Sequence, residues 1–257
     1  MPNLVTVTRD GATIQIMLNR PERRNALDLP SLTALLAAVH DAATDAKAHV
    51  IVLHGAGDGF CAGADLSTLA ELADQDNPVA SFQPAVETFQ EIIHGLATAP
   101  RITIAAMHGF AHGSGLDLAL ACDLRLAAAG TQLACSYVRH GLVPTGGATW
   151  ALPRLIGLGP AMAMLLSGDP MDAEGAYRLG LIHRRVPRGR HLDEALHWAE
   201  ELAQRSLPAQ SAVKRLARID PRLTLSAALK EEWDSQRRLL EEHEPEKFVP
   251  ATRSGGR

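Results

Sequence analysis

The sequence predicts an α/β fold, built of stacked strand–helix turns and closed by a mostly helical C-terminal region. Three observations carry that expectation. Two short apolar strands, VIVLHG (50–55) and ITIAAMHG (102–109), each end in glycine. Strands alternate with helices across residues 50–135, the pattern of consecutive βαβ units. From about residue 150 onward the periodicity is almost wholly helical.

The elements follow in order. Leu4–Thr8 and Thr13–Leu18 read as strands, and Arg9-Asp10-Gly11 between them is a hairpin signal. After the turn segment RPERRNALDLPS, the residues Leu32, Leu35, Leu36 and Val39 recur at helical spacing. Residues 82–97 predict a helix with Phe82, Val86, Phe89, Ile92, Ile93 and Leu96 on one face. Further strands are expected at Leu124–Ala128 and Gln132–Ala134, then a loop, RHGLVPTGGATW. Helices are expected over 159–167, 172–179, 191–206, 208–219 and 224–242. The domain reading is an α/β core over 1–195, a helical region over 196–250, and a structureless tail over 251–257.

Composition excludes several classes. The chain has 257 residues, 46% of them apolar, enough for a sizeable core. A net charge of −4 supplies no bulk positive field for nucleic acid or an anionic membrane. Cys61, Cys122 and Cys135 are the 3 cysteines; their odd number and wide spacing fit neither a disulfide framework nor a metal site. The N-terminus enters a strand pattern directly rather than a secretory signal, and no apolar stretch approaches a membrane span. A cytoplasmic location is the expectation.

Two glycine-rich loops occupy matching places. VIVLHG leads into GDGFCAGADL, and ITIAAMHG leads into GFAHGSGLDL. Ligands of open α/β sheets bind beyond the carboxyl ends of strands. Small residues there let a ligand approach the backbone, and N–H groups at a helix start are free to meet negative charge. Two such loops side by side can aim two N–H groups at one oxygen, as an oxyanion hole does. Either loop alone also fits tight strand–helix packing. The dinucleotide fingerprint fails because Leu118 stands where a third glycine is needed. The nucleophile-elbow pattern fails because His112 and Leu116 flank the Gly113-Ser114-Gly115 run.

Five stretches resemble the enoyl-CoA hydratase/isomerase, or crotonase, superfamily: RPERRNAL (20–27), FCAGADL (60–66), AAMHGFAHGSGLDLALACDLRLAA (105–128), GLVPTGGATWALPRLIG (141–157) and LSGDPMDAEGAYRLGLIHRRVP (166–187). The resemblance spans roughly residues 3–215. It implies a crotonase-like spiral of ββα turns and a coenzyme A thioester as substrate, with no covalently bound cofactor. It implies self-association as a homotrimer or hexamer through the helical C-terminal region. The backbone N–H groups of Ala64 and Ser114 would form the oxyanion hole. Arg23, Arg24, Ala26, Ala62, Asp65, Leu66, His112, His140 and Thr145 would lie in the substrate- and CoA-binding segments.

The family's two catalytic glutamates fall at Asp117 and Tyr137 here. Asp117 keeps a carboxylate on a side chain one methylene shorter, in an apolar setting that raises a carboxyl pKa. The alternative role is that of a helix-start acid meeting the helix dipole. Tyr137 is a proton donor near neutral pH, and an aromatic wall of the acyl pocket is the competing reading. A histidine can act as acid or base near neutral pH, but at His112 and His140 packing or a solvent contact is the more frequent reading. Thr145 offers a hydrogen bond only. Arg23 and Arg24 read either as CoA contacts or as a solvated pair. Two functions remain open from sequence. One is an acyl-CoA enzyme that stabilises a thioester enolate, by hydration, isomerisation, decarboxylation or thioester hydrolysis. The other is an acyl-CoA-binding homologue without hydratase activity.

Overall fold

The computed structural model describes residues 3–218 and 224–242. The predicted tail, 251–257, lies outside the described residues, as do residues 243–250 of the predicted helical region. The chain divides into two units, residues 1–205 and 206–257, ten residues beyond the boundary expected from sequence.

The first unit opens with a hairpin of β1 (Val5–Asp10) and β2 (Thr13–Leu18), closed by Gly11 at φ +55°. Helix α1 (Leu29–Thr44) is capped by the Asp28 carboxylate, which accepts from the Ser31 N–H at 2.9 Å. Strand β3 (Val50–Gly55) follows, then α2 (Leu66–Ala73), α3 (Pro78–Thr98), β4 (Ile102–Met107), β5 (Phe110–His112) and α4 (Ser114–Ala121). Next come β6 (Leu124–Ala128), β7 (Gln132–Ala134), α5 (Ala148–Ile156), α6 (Leu158–Ser167), β8 (Met171–Asp172), α7 (Ala173–Arg178), β9 (Arg184–Val186) and α8 (His191–Ala203). The second unit carries α9 (Leu207–Ala217) and α10 (Leu225–Glu242).

One six-stranded sheet runs in the order β1-β2-β3-β4-β6-β9, parallel except for the first hairpin. Its middle strands are buried on both faces, which is why β3 and β4 read as largely apolar runs rather than alternating ones. Ile51, Leu53, Ala105 and Met107 join one core with α1, α3 and α4 residues. Val50, Val52, Ile104 and Ala106 point the other way, against Ala195 and Ala199 of α8. A second sheet, β5-β7-β8, is made of strands two or three residues long. Bridges at Leu27–Ala64 and Cys61–Ala111 bring the loop after β3 alongside it. Each turn of the chain thus lays one long strand in the large sheet and one short piece beside the small one, a spiral of ββα turns.

The structure corrects the sequence expectation in two places. The region after residue 150 is not all helix, since β8 and β9 lie within it. Residues 148–156, assigned partly to a loop, form α5. Among the described residues, no helix is long and apolar enough to cross a membrane, and no group of three or more His, Cys, Asp or Glu is placed to hold a metal ion.

Three histidines gather where the two long strands end. His54 closes β3, His108 follows β4, and His191 opens α8. The His108 and His191 rings stack at 4.0 Å, and both Nδ1 atoms are buried without a partner. Burial, then the neighbouring histidines, lowers His54 to about 4 and His191 to about 4. The folded chain therefore holds fewer protons than the unfolded chain between pH 4 and the ordinary histidine value of 6.5. Stability is expected to fall as pH drops through that window. Asp117, raised to about 6, acts in the opposite sense between 3.8 and 6, while the lowered His112 and His183 act with the cluster. Urea midpoints across pH 4–7 check this: His191→Gln is expected to flatten the slope, and an unchanged slope refutes the assignment.

Candidate active site

The two glycine-rich loops are fastened to one another by backbone. The loop after β3 is tied down by Asn25, whose Nδ2 donates to the carbonyls of Ala56 (2.8 Å), Gly59 (2.9 Å) and Phe60 (3.2 Å). Asn25 adopts a left-handed conformation, φ 55°, which asparagine tolerates better than most residues. Arg20 holds the far end of the loop through Asp65 (3.3 Å) and Asp28 (3.1 Å). Burial alone would raise the Asp65 carboxyl; hydrogen bonds from Ser67 and Thr68, with the Arg20 charge, outweigh it and hold Asp65 below the usual range.

The second loop approaches closely. The His112 N–H donates to the Cys61 carbonyl at 3.0 Å. A Cβ on Gly63 would stand 2.7 Å from the His112 carbonyl oxygen and 3.4 Å from the Ser114 nitrogen. Gly113 precedes α4 at φ 50°, and every residue of that helix is buried. Leu27 and Gly63 pair on one side of Ala64, and Asp65 and Leu27 on the other. The backbone N–H groups of Ala64 and Ser114 consequently have no acceptor among the described residues. Both residues line the same cavity.

That cavity is apolar on the side of α1, α2 and α3, where Leu32, Leu69, Phe82, Val86 and Phe89 face it. Among the described residues, its ionisable lining is Asp28, Asp65, Tyr137 and His140, and no lysine or arginine lines it. Of the residues singled out from sequence, Ala62, Ala64, Asp65, Leu66, Ser114, Tyr137, His140 and Thr145 line the cavity. Arg23, Arg24, Ala26, His112 and Asp117 do not. Arg24 instead lies 4.2 Å over the Phe110 ring. His112 is lowered by burial and by the charges of Arg24 and Arg139, and its Nε2 is buried without a partner.

Asp117 is completely buried. Its Oδ2 accepts from the Tyr137 hydroxyl at 2.5 Å, and its Oδ1 accepts from the Ala148 N–H, at the start of α5, at 3.0 Å. Burial raises its carboxyl to about 6 against the pull of these hydrogen bonds. Tyr137, on a short 3-10 helix (Ser136–His140), is 9% exposed. Its hydroxyl also lies 3.1 Å from Ser114 Oγ. Burial, then the Asp117 charge, pushes the Tyr137 phenol far up. The apolar wall from α1 and α3 was legible as Leu32 and the Phe82, Val86, Phe89 stripe, read there only as helix faces. Asn25 was missed as the anchor of the first loop, although it stands in the RPERRNAL segment.

Fold and cavity together define an α/β spiral whose adjoining loops turn two free amides onto an apolar cleft. The family model described as enoyl-CoA hydratase/isomerase matches residues 8–249. The mitochondrial enoyl-CoA hydratase domain-containing protein 2 of Mus musculus is 36% identical over 216 residues, 84% of this chain and 71% of that protein. The mitochondrial methylglutaconyl-CoA hydratase of Mus musculus is 34% identical over 203 residues, 79% of this chain and 63% of that one. The crystal structure of an enoyl-CoA hydratase from Polaromonas sp. JS666 superposes with a TM-score of 0.87 at 33% identity, covering 93% of this chain and 92% of that chain. The chain belongs to the enoyl-CoA hydratase/isomerase family, within the crotonase superfamily.

Proposed function

We propose that the protein binds an acyl-CoA thioester and stabilises its enolate, converting an enoyl-CoA by hydration or double-bond shift. The observation that carries this is the pair of partnerless N–H groups, Ala64 and Ser114, on one cavity wall. Donors already fixed in place need no reorganisation as the thioester oxygen gains charge. Asp117 and Tyr137 supply proton exchange. Arg23 and Arg24, outside the acyl cavity, are the candidates for the CoA moiety. The exposed apolar side chains of α10, Leu225, Leu229, Trp233 and Leu240, support self-association as a trimer or hexamer. No cofactor beyond the CoA of the substrate enters this chemistry, and the cytoplasm remains the proposed location.

The cavity also narrows the acyl group. With Asp28 and Asp65 on its wall and no lysine or arginine among the described residues, it has nothing there to pair with a second carboxylate on the acyl chain. An unpaired buried charge is costly, so an apolar acyl chain is the proposed ligand. Mixing the protein with trans-2- and 3-enoyl-CoAs of four to eight carbons, and following the conjugated-enone absorbance, tests the reaction. Hexenoyl-CoA is expected to be favoured over glutaconyl-CoA by about tenfold or more in kcat/KM, the effect of at least 1.4 kcal/mol of unpaired charge. Equal use of both overturns the acyl assignment. Tight binding without turnover across the series would instead favour a binding protein, a reading suggested by the absence of glutamate at both flanking positions.

A further inference from the structure

Three oxygens lie in a row from the cavity into the core: Ser114 Oγ, Tyr137 Oη and Asp117 Oδ2, at successive separations of 3.1 Å and 2.5 Å. Ser114 and Tyr137 line the cavity, and Asp117 does not. Asp117 packs closely against Gly146. A Cβ on Gly146 would stand 2.6 Å from the Asp117 Cβ and 2.5 Å from Phe89. The carboxylate is further pinned by the Ala148 N–H at the first turn of α5, where the helix dipole favours a negative charge.

We propose that Tyr137 is the group that exchanges a proton with the ligand, and that Asp117 acts only through it, as a positioning residue and proton store; this rests on the acyl-CoA reading of the cavity. The direction of transfer follows from the single phenolic proton. When Asp117 is ionised, that proton is committed to Oδ2, so Tyr137 turns lone pairs toward Ser114 and the cavity. An incoming O–H or Cα–H then meets an acceptor. Its bond to hydrogen breaks and a new bond to Oη forms. At the same time the old Oη–H bond breaks, and its proton bonds to Oδ2. Tyr137 is neutral before and after, and Asp117 ends as the carboxylic acid. In reverse, the Asp117 acid donates to Oη, and the phenolic hydrogen turns to the cavity to protonate the enolate carbon. No phenolate accumulates, which suits a buried phenol beside a carboxylate. Tyrosine supplies the reach that the shorter Asp117 lacks, and the carboxylate supplies the basicity that tyrosine lacks.

The test is kcat/KM against pH, from 5 to 9, for the wild-type chain, Tyr137→Phe, Asp117→Asn and the double variant. Calorimetric binding of saturated hexanoyl-CoA to each protein is the control. Wild-type activity is expected to rise as pH passes about 6 and then level. Each single variant is expected to lose about 10²–10⁴-fold and its rising limb, the usual worth of a positioned acid–base group. The double variant is expected to be no worse than either single one, because the two groups act as a unit. Hexanoyl-CoA is expected to bind all four within about threefold, a change of under 1 kcal/mol. If Tyr137→Phe keeps both activity and the limb near pH 6, Asp117 works directly and the relay is refuted. Full activity in Asp117→Asn refutes it equally. Should Asp117→Asn fail to fold, the Tyr137→Phe profile decides alone. A wild-type chain that binds no acyl-CoA overturns the reading of the cavity and the relay together, whereas binding without turnover overturns the relay alone.

Discussion

Replacing Ser114 by proline is expected to lower kcat/KM by about 10²–10³-fold, the measured worth of one oxyanion donor elsewhere, while leaving the fold intact. Proline has no N–H, so the substitution deletes one of the two amides directed at the thioester oxygen. Position 114 is the first residue of α4, after Gly113. That is the one helical position where proline is favoured, since its N–H has no intrahelical acceptor in any case. The Ser114 amide donates to nothing in the protein among the described residues, so no structural hydrogen bond is sacrificed. Serine-to-alanine at the same position separates the two functions of the residue. It keeps the amide and removes only the hydroxyl that meets Tyr137. Steady-state rates on an enoyl-CoA, with melting curves alongside, give the answer. If the alanine variant loses as much activity as the proline variant, the hydroxyl rather than the amide matters; if the proline variant turns over like the wild type, the oxyanion reading fails.

Much of this arrangement was legible before any coordinates. The runs VIVL and ITIAAM, apolar but for Thr103, reported strands covered on both faces, because most residues facing either core are apolar. The apolar stripe of α3 was visible at helical spacing, although its first turns face the cavity rather than the core. The small sheet was not legible as a sheet. Its strands are too short to carry a periodicity, and they pair with segments distant in sequence, as Leu133 does with Met171. Helix α2 was missed although Leu66, Leu69 and Ala73 recur at helical spacing; the stripe is only two turns long, its leucines line the cavity, and none of its residues is fully buried. The family resemblance put Asp117 and Tyr137 at the two catalytic positions of one site. It could not order them, since which of two side chains stands nearer the cavity depends on tertiary packing, here that of Gly146 against Asp117.

Gly115→Ala is expected to be the most damaging single-methyl change at the site. A Cβ there would lie 2.4 Å from the Cys61 carbonyl oxygen and 2.8 Å from the Cys61 Cβ. Cys61 has little freedom to retreat. It is fully buried, its N–H donates to the Phe110 carbonyl, its carbonyl accepts from His112, and its thiol donates to the Asn25 carbonyl at 3.1 Å. Burial pushes that thiol up to about 12, so it stays a neutral donor. The helix α4 is equally confined, with all eight of its residues buried. The added methyl must therefore part the two loops. Overpacking of this kind costs about 1–3 kcal/mol of stability. A displacement of about 1 Å between reacting groups and their donors costs roughly 10²-fold in rate. Gly159→Ala serves as the reference, because nothing lies within 4 Å of its Cβ position in α6 and an alanine there only favours the helix. Melting temperature and kcat measured together are expected to fall for the first variant and hold for the second. A Gly115→Ala protein that melts and turns over like its parent would mean that the loops are not in contact at Cys61, and that the spacing of the Ala64 and Ser114 amides is set by something other than the absence of a side chain at position 115.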